Sequence, residues 1–403
     1  MKVLQLCKKF PYPVRDGESI AITNLARALR QSGVEVTLLA MNTTKHFVDP
    51  TALPARLSDY HAYHTVPVDN RLRKRAALRH LFSEASYHIA RFVSPAFEAR
   101  LVQLLRQERY DVVQLETLYL APYIDVIRRH SEARVVMRAH NVEHAIWGRM
   151  AANAGNPVKR WYLRHLTAKL RRYERTSINR YDLLLPISQP DLAAFRREGA
   201  RGPALVTPIG LDPAEYPARP PRAGEPLRLS FIGSLDWLPN QEGLLWFVRR
   251  VWPSLRRAFP ALELHVAGRN MPARIARLRV PGVHWHGEVP SARRFVEQYP
   301  VMVVPLLSGS GMRAKILEGM ALAKAVLTTR VGLEGIEARH RDTVLVADTV
   351  AAFERELRWL LHRPDRLPAL GGRARTFFER RYDHRVIGER LLRHYEQLVG
   401  TPV

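Results

Sequence analysis

The sequence predicts an α/β protein built of two doubly wound domains in tandem, facing each other across a cleft. Three observations carry that expectation. The chain has 403 residues, more than one hydrophobic core usually serves, so two domains of roughly 200 residues each are expected. Short apolar runs alternate with amphipathic stretches along its length, the pattern of a mostly parallel sheet covered on both faces. The alternation breaks near Thr207–Pro226 into Pro-Ile-Gly-Leu-Asp-Pro and then Pro-Ala-Arg-Pro-Pro-Arg-Ala-Gly-Glu-Pro, which propagates neither helix nor central strand.

Taken in order, Lys2–Leu6 reads as a strand, Ser19–Ser32 as a helix with Ala21, Leu25, Ala28 and Leu29 inward, and Val34–Met41 as the next strand. Together they make a βαβ unit. Asp111–Leu115, Arg134–Arg138 and Asp182–Pro186 repeat the strand signal. The first domain is expected over 1–212 and a linker over 213–226. The second domain, 227–380, opens with strand Leu227–Ile232. A helical stretch Gln241–Phe259, interrupted at Pro253, follows. Strands Leu262–Ala267, Val283–Trp285 and Val301–Pro305 and helix Arg313–Leu322 complete the pattern. A last helix, about Arg375–Leu398 with a break at Tyr382-Asp383, is expected to carry residues 381–403 back to the first domain. Ligands of such sheets bind beyond the carboxyl ends of the strands, so the cleft is the expected active site.

Apolar residues make up 46% and charged residues 25%, the composition of a folded globular protein rather than a disordered one. The single cysteine, Cys7, excludes an intrachain disulfide framework and a cysteine metal cluster, and fits a reducing compartment. The opening turns charged at Lys8-Lys9, too early for a signal peptide. No segment approaches the roughly 18 uninterrupted apolar residues of a membrane span. The expected location is the cytoplasm, at the inner face of a membrane. A net charge of +25 points to an anionic partner or surface.

The segment Pro305-Leu306-Leu307-Ser308-Gly309-Ser310-Gly311-Met312-Arg313-Ala314-Lys315-Ile316-Leu317-Glu318-Gly319-Met320-Ala321 resembles the donor-site signature of family 4 glycosyltransferases, which have the GT-B fold. Phe231-Ile232-Gly233-Ser234-Leu235, Thr207-Pro208-Ile209-Gly210-Leu211-Asp212, Arg138-Ala139-His140-Asn141 and Asp16-Gly17-Glu18 match in the right order. The resemblance thus covers essentially the whole chain. It implies a retaining, sugar-nucleotide-dependent transferase of the GT-B fold, two Rossmann-like domains, with no cofactor beyond the donor substrate. Two positions depart from the family. Ser310 stands where the first carboxylate of a Glu-x7-Glu pair is usual, and Ser234 where an arginine is usual.

The residues support this chemistry on their own terms. Ser308-Gly309-Ser310-Gly311 lacks bulky side chains and leads into a helix, so its backbone amides can approach a pyrophosphate. Arg313 and Lys315 can neutralise the charge growing on a leaving diphosphate. Two residues apart on a helix they point about 200° apart, so both serve only if the first turn is irregular. A solvated helix face with a Lys315–Glu318 pair is the alternative. Arg313, Lys315 and His140 are the expected catalytic residues. Gly17, Gly233, Ser234, Arg269, Ser310, Gly311, Met312 and Glu318 are expected on the donor, Glu318 by resemblance on its ribose hydroxyls. Asp16, Glu18, Asn141 and Glu143 are expected on the acceptor side. Asp16-Gly17-Glu18 reads equally as a turn and helix N-cap. His140 and His144 have i, i+4 spacing but lack a third ligand, so no metal is expected.

Two basic stretches bear on partners. Arg160, Arg164, Arg171 and Arg175 gather away from the face formed by Tyr162, Leu166, Leu170 and Tyr173. Arg71, Arg73, Lys74, Arg75 and Arg79 precede Leu81, Phe82, Tyr87 and Phe92. Basic residues beside aromatics suit anionic lipid headgroups, and a solvated basic face is the alternative. The expected partners are a nucleoside diphosphate sugar, a glycan or lipid-linked acceptor and an anionic membrane surface. A sugar-nucleotide epimerase on the same fold is the first rival. A basic nucleic-acid-binding protein is the second, and no recognition-helix, RNP or zinc-finger pattern supports it.

Overall fold

A computed structural model describes all residues except 15, 50, 52, 55–56, 72–82, 84–85, 310, 364 and 401–403. The chain divides into two compact units, Met1–Gly210 with His384–Val403, and Leu211–Asp383.

The first unit holds a six-stranded sheet of β1 (Lys2–Cys7), β2 (Glu35–Thr43), β3 (Ala62–Val68), β4 (Val112–Leu115), β5 (Arg134–Ala139) and β6 (Leu183–Pro186), in the order β3-β2-β1-β4-β5-β6. All neighbours run parallel. The strands are apolar on both faces, and each face has its own buried cluster, one around Leu4, Leu6 and Val113, the other around Val3, Cys7 and Val112. β3 has no counterpart in the sequence reading, because Ala62–Val68 alternates with His64, Thr65 and Pro67 and carries little apolar signal.

The second unit repeats the plan with β7 (Arg228–Ile232), β8 (Glu263–Ala267), β9 (Val283–Gly287), β10 (Val301–Val304), β11 (Ala325–Thr328) and β12 (Leu345–Val346), ordered β12-β11-β10-β7-β8-β9. Counted from its own first strand, this is the order of the first sheet, the doubly wound dinucleotide-fold order. The helical stretch before β8 is not broken at Pro253. It runs as Leu238–Trp246, a π-helical segment Phe247–Val251 and Trp252–Ala258, and the π-helical turn directly before Pro253 accommodates its missing N–H.

The stretch expected as a linker, 213–226, falls within the second unit. Tyr216 is buried, and Arg375 binds the carbonyl oxygens of Tyr216 and Ala321. The terminal helices are Arg366–Tyr382 and His384–Gly400, separated by extended Asp383. The second of them lies in the first unit against helix Gly17–Gln31. A Cβ on Gly388 would sit 2.5 Å from that of Ala28, so only glycine permits this approach.

Candidate active site

In a doubly wound sheet the crossovers reverse direction between the first and fourth strands, leaving a crevice beyond their carboxyl ends. In the first unit β1 and β4 flank that point. Glu116, directly after β4, is fully buried. Its Oε1 accepts from Gln5 Nε2 at 2.6 Å and from Gln114 Nε2. Its Oε2 lies 2.7 Å from His140 Nε2 and 3.8 Å from Arg138 Nη1. Burial pushes the Glu116 carboxyl up, but the Arg138 charge and the His140 hydrogen bond outweigh it and hold the group below its usual range.

An ionised carboxylate only accepts, so in the neutral His140 ring the proton sits on Nε2 and Nδ1 carries the lone pair. Among the described residues no protein group bonds that Nδ1. Arg138 is fully buried and braced by the carbonyls of Ala21, 2.8 Å from Nη1, and Pro208, 3.4 Å from Nη2.

Glu116 escaped the sequence reading. The available signal is a glutamine in each of two adjacent apolar strands, Gln5 and Gln114, which stand in register. Polar side chains in such strands need a buried partner.

The loop after β1 brings Lys8 and Lys9 to the acidic start of the first helix. Asp16 is its N-cap, accepting from Ser19 N at 2.9 Å, and Gly17 is its first residue. Lys9 Nζ lies 2.6 Å from Asp16 and 3.7 Å from Glu18, and Lys8 Nζ lies 3.5 Å from Glu18. Cap and charge cluster are therefore one feature. Burial raises the Glu18 carboxyl, while Lys8 and Lys9 bring it below its usual value. Its Oε1 is buried without a hydrogen-bond partner among the described residues.

Asn141 and Glu143 line a narrow recess beside His140. Glu143 is buried, accepts from Tyr119 Oη at 2.8 Å, and has its carboxyl raised by burial. Glu174 accepts the backbone N–H of Glu143 and of His144, and binds the His144 ring. His140 and His144 thus take separate carboxylates, Glu116 and Glu174.

In the second unit β7 and β10 flank the corresponding point. Gly233 follows β7, and a Cβ there would lie 2.7 Å from Lys315 Nζ and 2.8 Å from Asn240 Nδ2. Lys315 Nζ donates to Ile232 O and to Asn240 Oδ1, both at 2.9 Å. Burial, and after it the Arg313 charge, bring the Lys315 ammonium down to about 7. The solvated-face alternative fails, since Arg313 is 5% exposed.

Arg313 is the N-cap of helix Ala314–Ala321, with extended backbone at φ −92° and ψ 93°. It stands outside the helix, so helical geometry does not separate it from Lys315. Its guanidinium lies 5.7 Å over the Trp237 ring and bonds the Gly311 carbonyl. Gly309, at φ +129°, holds a backbone conformation that other residues rarely adopt, and a Cβ there would displace the Arg313 guanidinium, 2.7 Å away at Nη2. Met312 is buried, and Ser310 lies outside the described residues.

Glu318 does not pair with Lys315 in a salt bridge. Its Oε1 accepts from Tyr216 Oη at 2.9 Å, and burial raises its carboxyl against the pull of that bond and of Lys315. Ser234 Oγ bonds Asp236 at 2.5 Å, and the Arg269 carbonyl accepts from Leu235 N at 2.8 Å, so both line the turn after β7. Tyr216 and Asn240 carry no motif and were missed.

Residues 16–210 match the glycosyl transferase 4-like domain, and residues 226–363 match the glycosyl transferases group 1 domain. An uncharacterized 44.6 kDa protein in the cps region of Klebsiella pneumoniae is 21% identical over 96% of this chain and 97% of its own. Anabaena HepE in complex with UDP shares the fold with a TM-score of 0.68 at 14% identity, over 98% of this chain and all of that one. Sucrose-phosphate synthase from Thermosynechococcus elongatus does so with a TM-score of 0.68 at 15% identity, over 99% of each chain. With both domain matches in place and two sheets of the same doubly wound order, the chain belongs to the family 4 glycosyltransferases and has the GT-B fold.

Proposed function

We propose that the protein transfers a sugar from a nucleoside diphosphate sugar to a hydroxyl of a lipid-linked or surface-glycan precursor, with retention and without a metal ion. The observation that carries this reading is the pair Arg313 and Lys315 beside the glycine-bounded turns at the second switch point. HepE structures in complex with UDP and with UDP-glucose support a nucleotide sugar as donor.

In the proposed step the acceptor oxygen bonds to the anomeric carbon as the bond from that carbon to the phosphate oxygen breaks. The electron pair of the broken bond stays on the diphosphate, and the acceptor proton passes to it. The protein's task is positioning and charge stabilisation rather than nucleophilic attack. An incoming diphosphate draws a proton onto Lys315, whose ammonium is balanced near neutrality without it. His140, oriented by Glu116, is placed to accept a sugar hydroxyl at Nδ1.

The relative from a cps region supports a glycan precursor as acceptor. No helix among the described residues is long and apolar enough to cross a membrane. Helix Pro157–Ser177 buries Leu163, Leu166 and Leu170 and leaves Val158 and Trp161 exposed beside Lys159, Arg160 and Arg164, which favours contact with an anionic surface. Its later half is less available, since Arg171 is held by Glu198 at 3.0 and 2.8 Å. Of the other basic stretch, Arg71 pairs with Asp69, and 72–82 lie outside the described residues.

The test is incubation with a panel of nucleoside diphosphate sugars, with and without glycan or lipid-linked acceptors. The expected result is acceptor-stimulated release of nucleoside diphosphate from one donor. Acceptor-independent conversion of a donor to its epimer, or release from none, would overturn the reading.

A further inference from the structure

The second sheet carries a cluster that sugar transfer does not use. Glu263 and His265 alternate with buried Leu264 along β8, so they share one face of the sheet. His284 and His286 share a face of β9 in the same way, and β9 is the edge strand. Register pairs His265 with His284 directly. The two rings stack at 4.6 Å, and the Glu263 carboxylate reaches both, 3.2 Å from His265 Nε2 and 3.8 Å from His284 Nε2.

We infer that Glu263, His265 and His284 form a binding site for a divalent transition-metal ion of the zinc type, separate from the donor site. One ligand atom from each of the three residues lies within 4.8 Å of the others. Nitrogen and oxygen ligands about 2.0–2.2 Å from a tetrahedral ion stand about 3.3–3.5 Å from one another. The two Glu263–histidine separations, 3.2 and 3.8 Å, bracket that value, so a small rotation of Glu263 or His284 closes the site.

The surroundings suit a metal rather than a plain hydrogen-bonded cluster. A ligating histidine commonly donates its other ring N–H to a neighbour that fixes the tautomer. His265 Nδ1 lies 3.0 Å from His286 Nε2, which fills that role. The Tyr299 ring stacks on His265 at 4.4 Å, and Phe295 packs on His286 at 5.3 Å, so both imidazoles are held in orientation. Two imidazoles and one carboxylate favour zinc over magnesium, which prefers all-oxygen octahedra. His284 is half exposed, so a fourth, water-filled position faces solvent.

The site pins the edge strand β9 to β8, which lies next to β7, the strand that leads into the Gly233 turn. It shares no residue with the proposed donor site, so its failure and that of the transferase reading are separable by experiment. Full-length protein is stripped with chelator and titrated with Zn²⁺ by calorimetry and with Co²⁺ by absorption. The expected result is one equivalent per chain and the visible bands of four-coordinate cobalt, with no comparable binding of Mg²⁺.

His284→Ala and Glu263→Gln are each expected to weaken the ion at least 10-fold. His286→Ala should weaken it by about 10-fold through the lost orientation, and His362→Ala, at an exposed histidine elsewhere, should leave it unchanged. Zn²⁺ should raise the melting temperature of the wild type but not of His284→Ala. Donor turnover should continue in EDTA. Equal zinc affinity in wild type and His284→Ala, or no stoichiometric binding to the wild type, overturns the site. Loss of turnover in EDTA that His284→Ala reproduces overturns its separateness.

Discussion

At the first switch point the centre is an anion. Glu116 is buried and held ionised by Arg138, and its oxygens are taken by Gln5, Gln114 and His140. At the second the centre is cationic, with Arg313 and Lys315 packed against the turns after β7 and β10 and carbonyl oxygens as the partners of Lys315. The strand order is the same in both sheets. One backbone plan therefore carries an anionic centre in one place and a cationic one in another, because the few residues just beyond the strand ends set the electrostatics. The two centres also differ in satisfaction. Both oxygens of the Glu116 carboxylate are taken by protein groups, whereas the Lys315 ammonium is bonded only to neutral oxygens, those of Ile232 and Asn240.

The sharpest test of that contrast is stability. Glu116→Ala leaves the Arg138 guanidinium buried beside backbone carbonyls only, and breaking such a pair costs about 3–5 kcal/mol. Lys315→Met removes a charge whose burial is already unfavourable and should cost little or stabilise. Urea denaturation of both variants checks this. A Glu116→Ala loss no larger than that of Lys315→Met would erase the distinction.

Catalysis should show the opposite ranking. Ser234 stands where the family usually offers a cation, so in the proposed step the leaving diphosphate leans on Arg313 and Lys315. Arg313→Ala is expected to lower kcat by roughly 10²-fold, the effect of losing one preorganised charge stabiliser. Near wild-type kcat in a variant that melts normally would move the phosphate site elsewhere.

The sequence made the cationic centre legible because its parts are contiguous: Ser308–Lys315 spell a glycine-rich turn, a helix start and two cations in one run. The anionic centre was half legible. His140 stood at a strand end, but Glu116 directly follows β4, which carries its partner Gln114, its other partner Gln5 belongs to β1, and only the fold brings them together. The same holds for Tyr216, read as linker because its neighbours are prolines, yet buried against Glu318. In the fold, strands with unbroken apolar runs were readable. Ala62–Val68, with its polar alternation, and the two-residue β12 were not. Ala325–Thr328 was missed although apolar, being only four residues long directly after a helix.

Lys315 gives the cationic centre a pH signature. Its ordinary value is 10.5 and its folded value about 7. Between those limits the unfolded chain holds a proton that the folded one has released, so folded stability rises with pH. Relative to Lys315→Met, the wild type should gain up to about 1.4 kcal/mol per pH unit above 7. Urea midpoints for both proteins at pH 7, 8 and 9 measure it. A constant difference would mean that Lys315 keeps its proton and that the centre is better compensated than its geometry indicates.

The smallest expected effect separates binding from catalysis within the second centre. By family resemblance Glu318 accepts the donor ribose hydroxyls, a contact far from the bond that breaks and alike in ground and transition states. Removing it should weaken the donor without slowing chemistry, so Glu318→Ala should raise donor KM about 10-fold, or about 1.4 kcal/mol, with kcat nearly unchanged. Tyr216→Phe probes the same carboxylate from its protein side. Burial pushes the Glu318 carboxyl up and the Tyr216 hydrogen bond pulls it down. Without that bond the carboxyl rises further, and a protonated carboxyl accepts ribose hydroxyls less well. Tyr216→Phe should therefore raise KM only a few-fold at high pH and more as pH falls, whereas Glu318→Ala, with nothing left to titrate, should show the larger increase without the added acid-side rise. Steady-state donor kinetics of both variants across pH 6 to 9 decide the matter. A fall in kcat with unchanged KM in Glu318→Ala would place this carboxylate at the reacting bond and give the second centre an anion of its own.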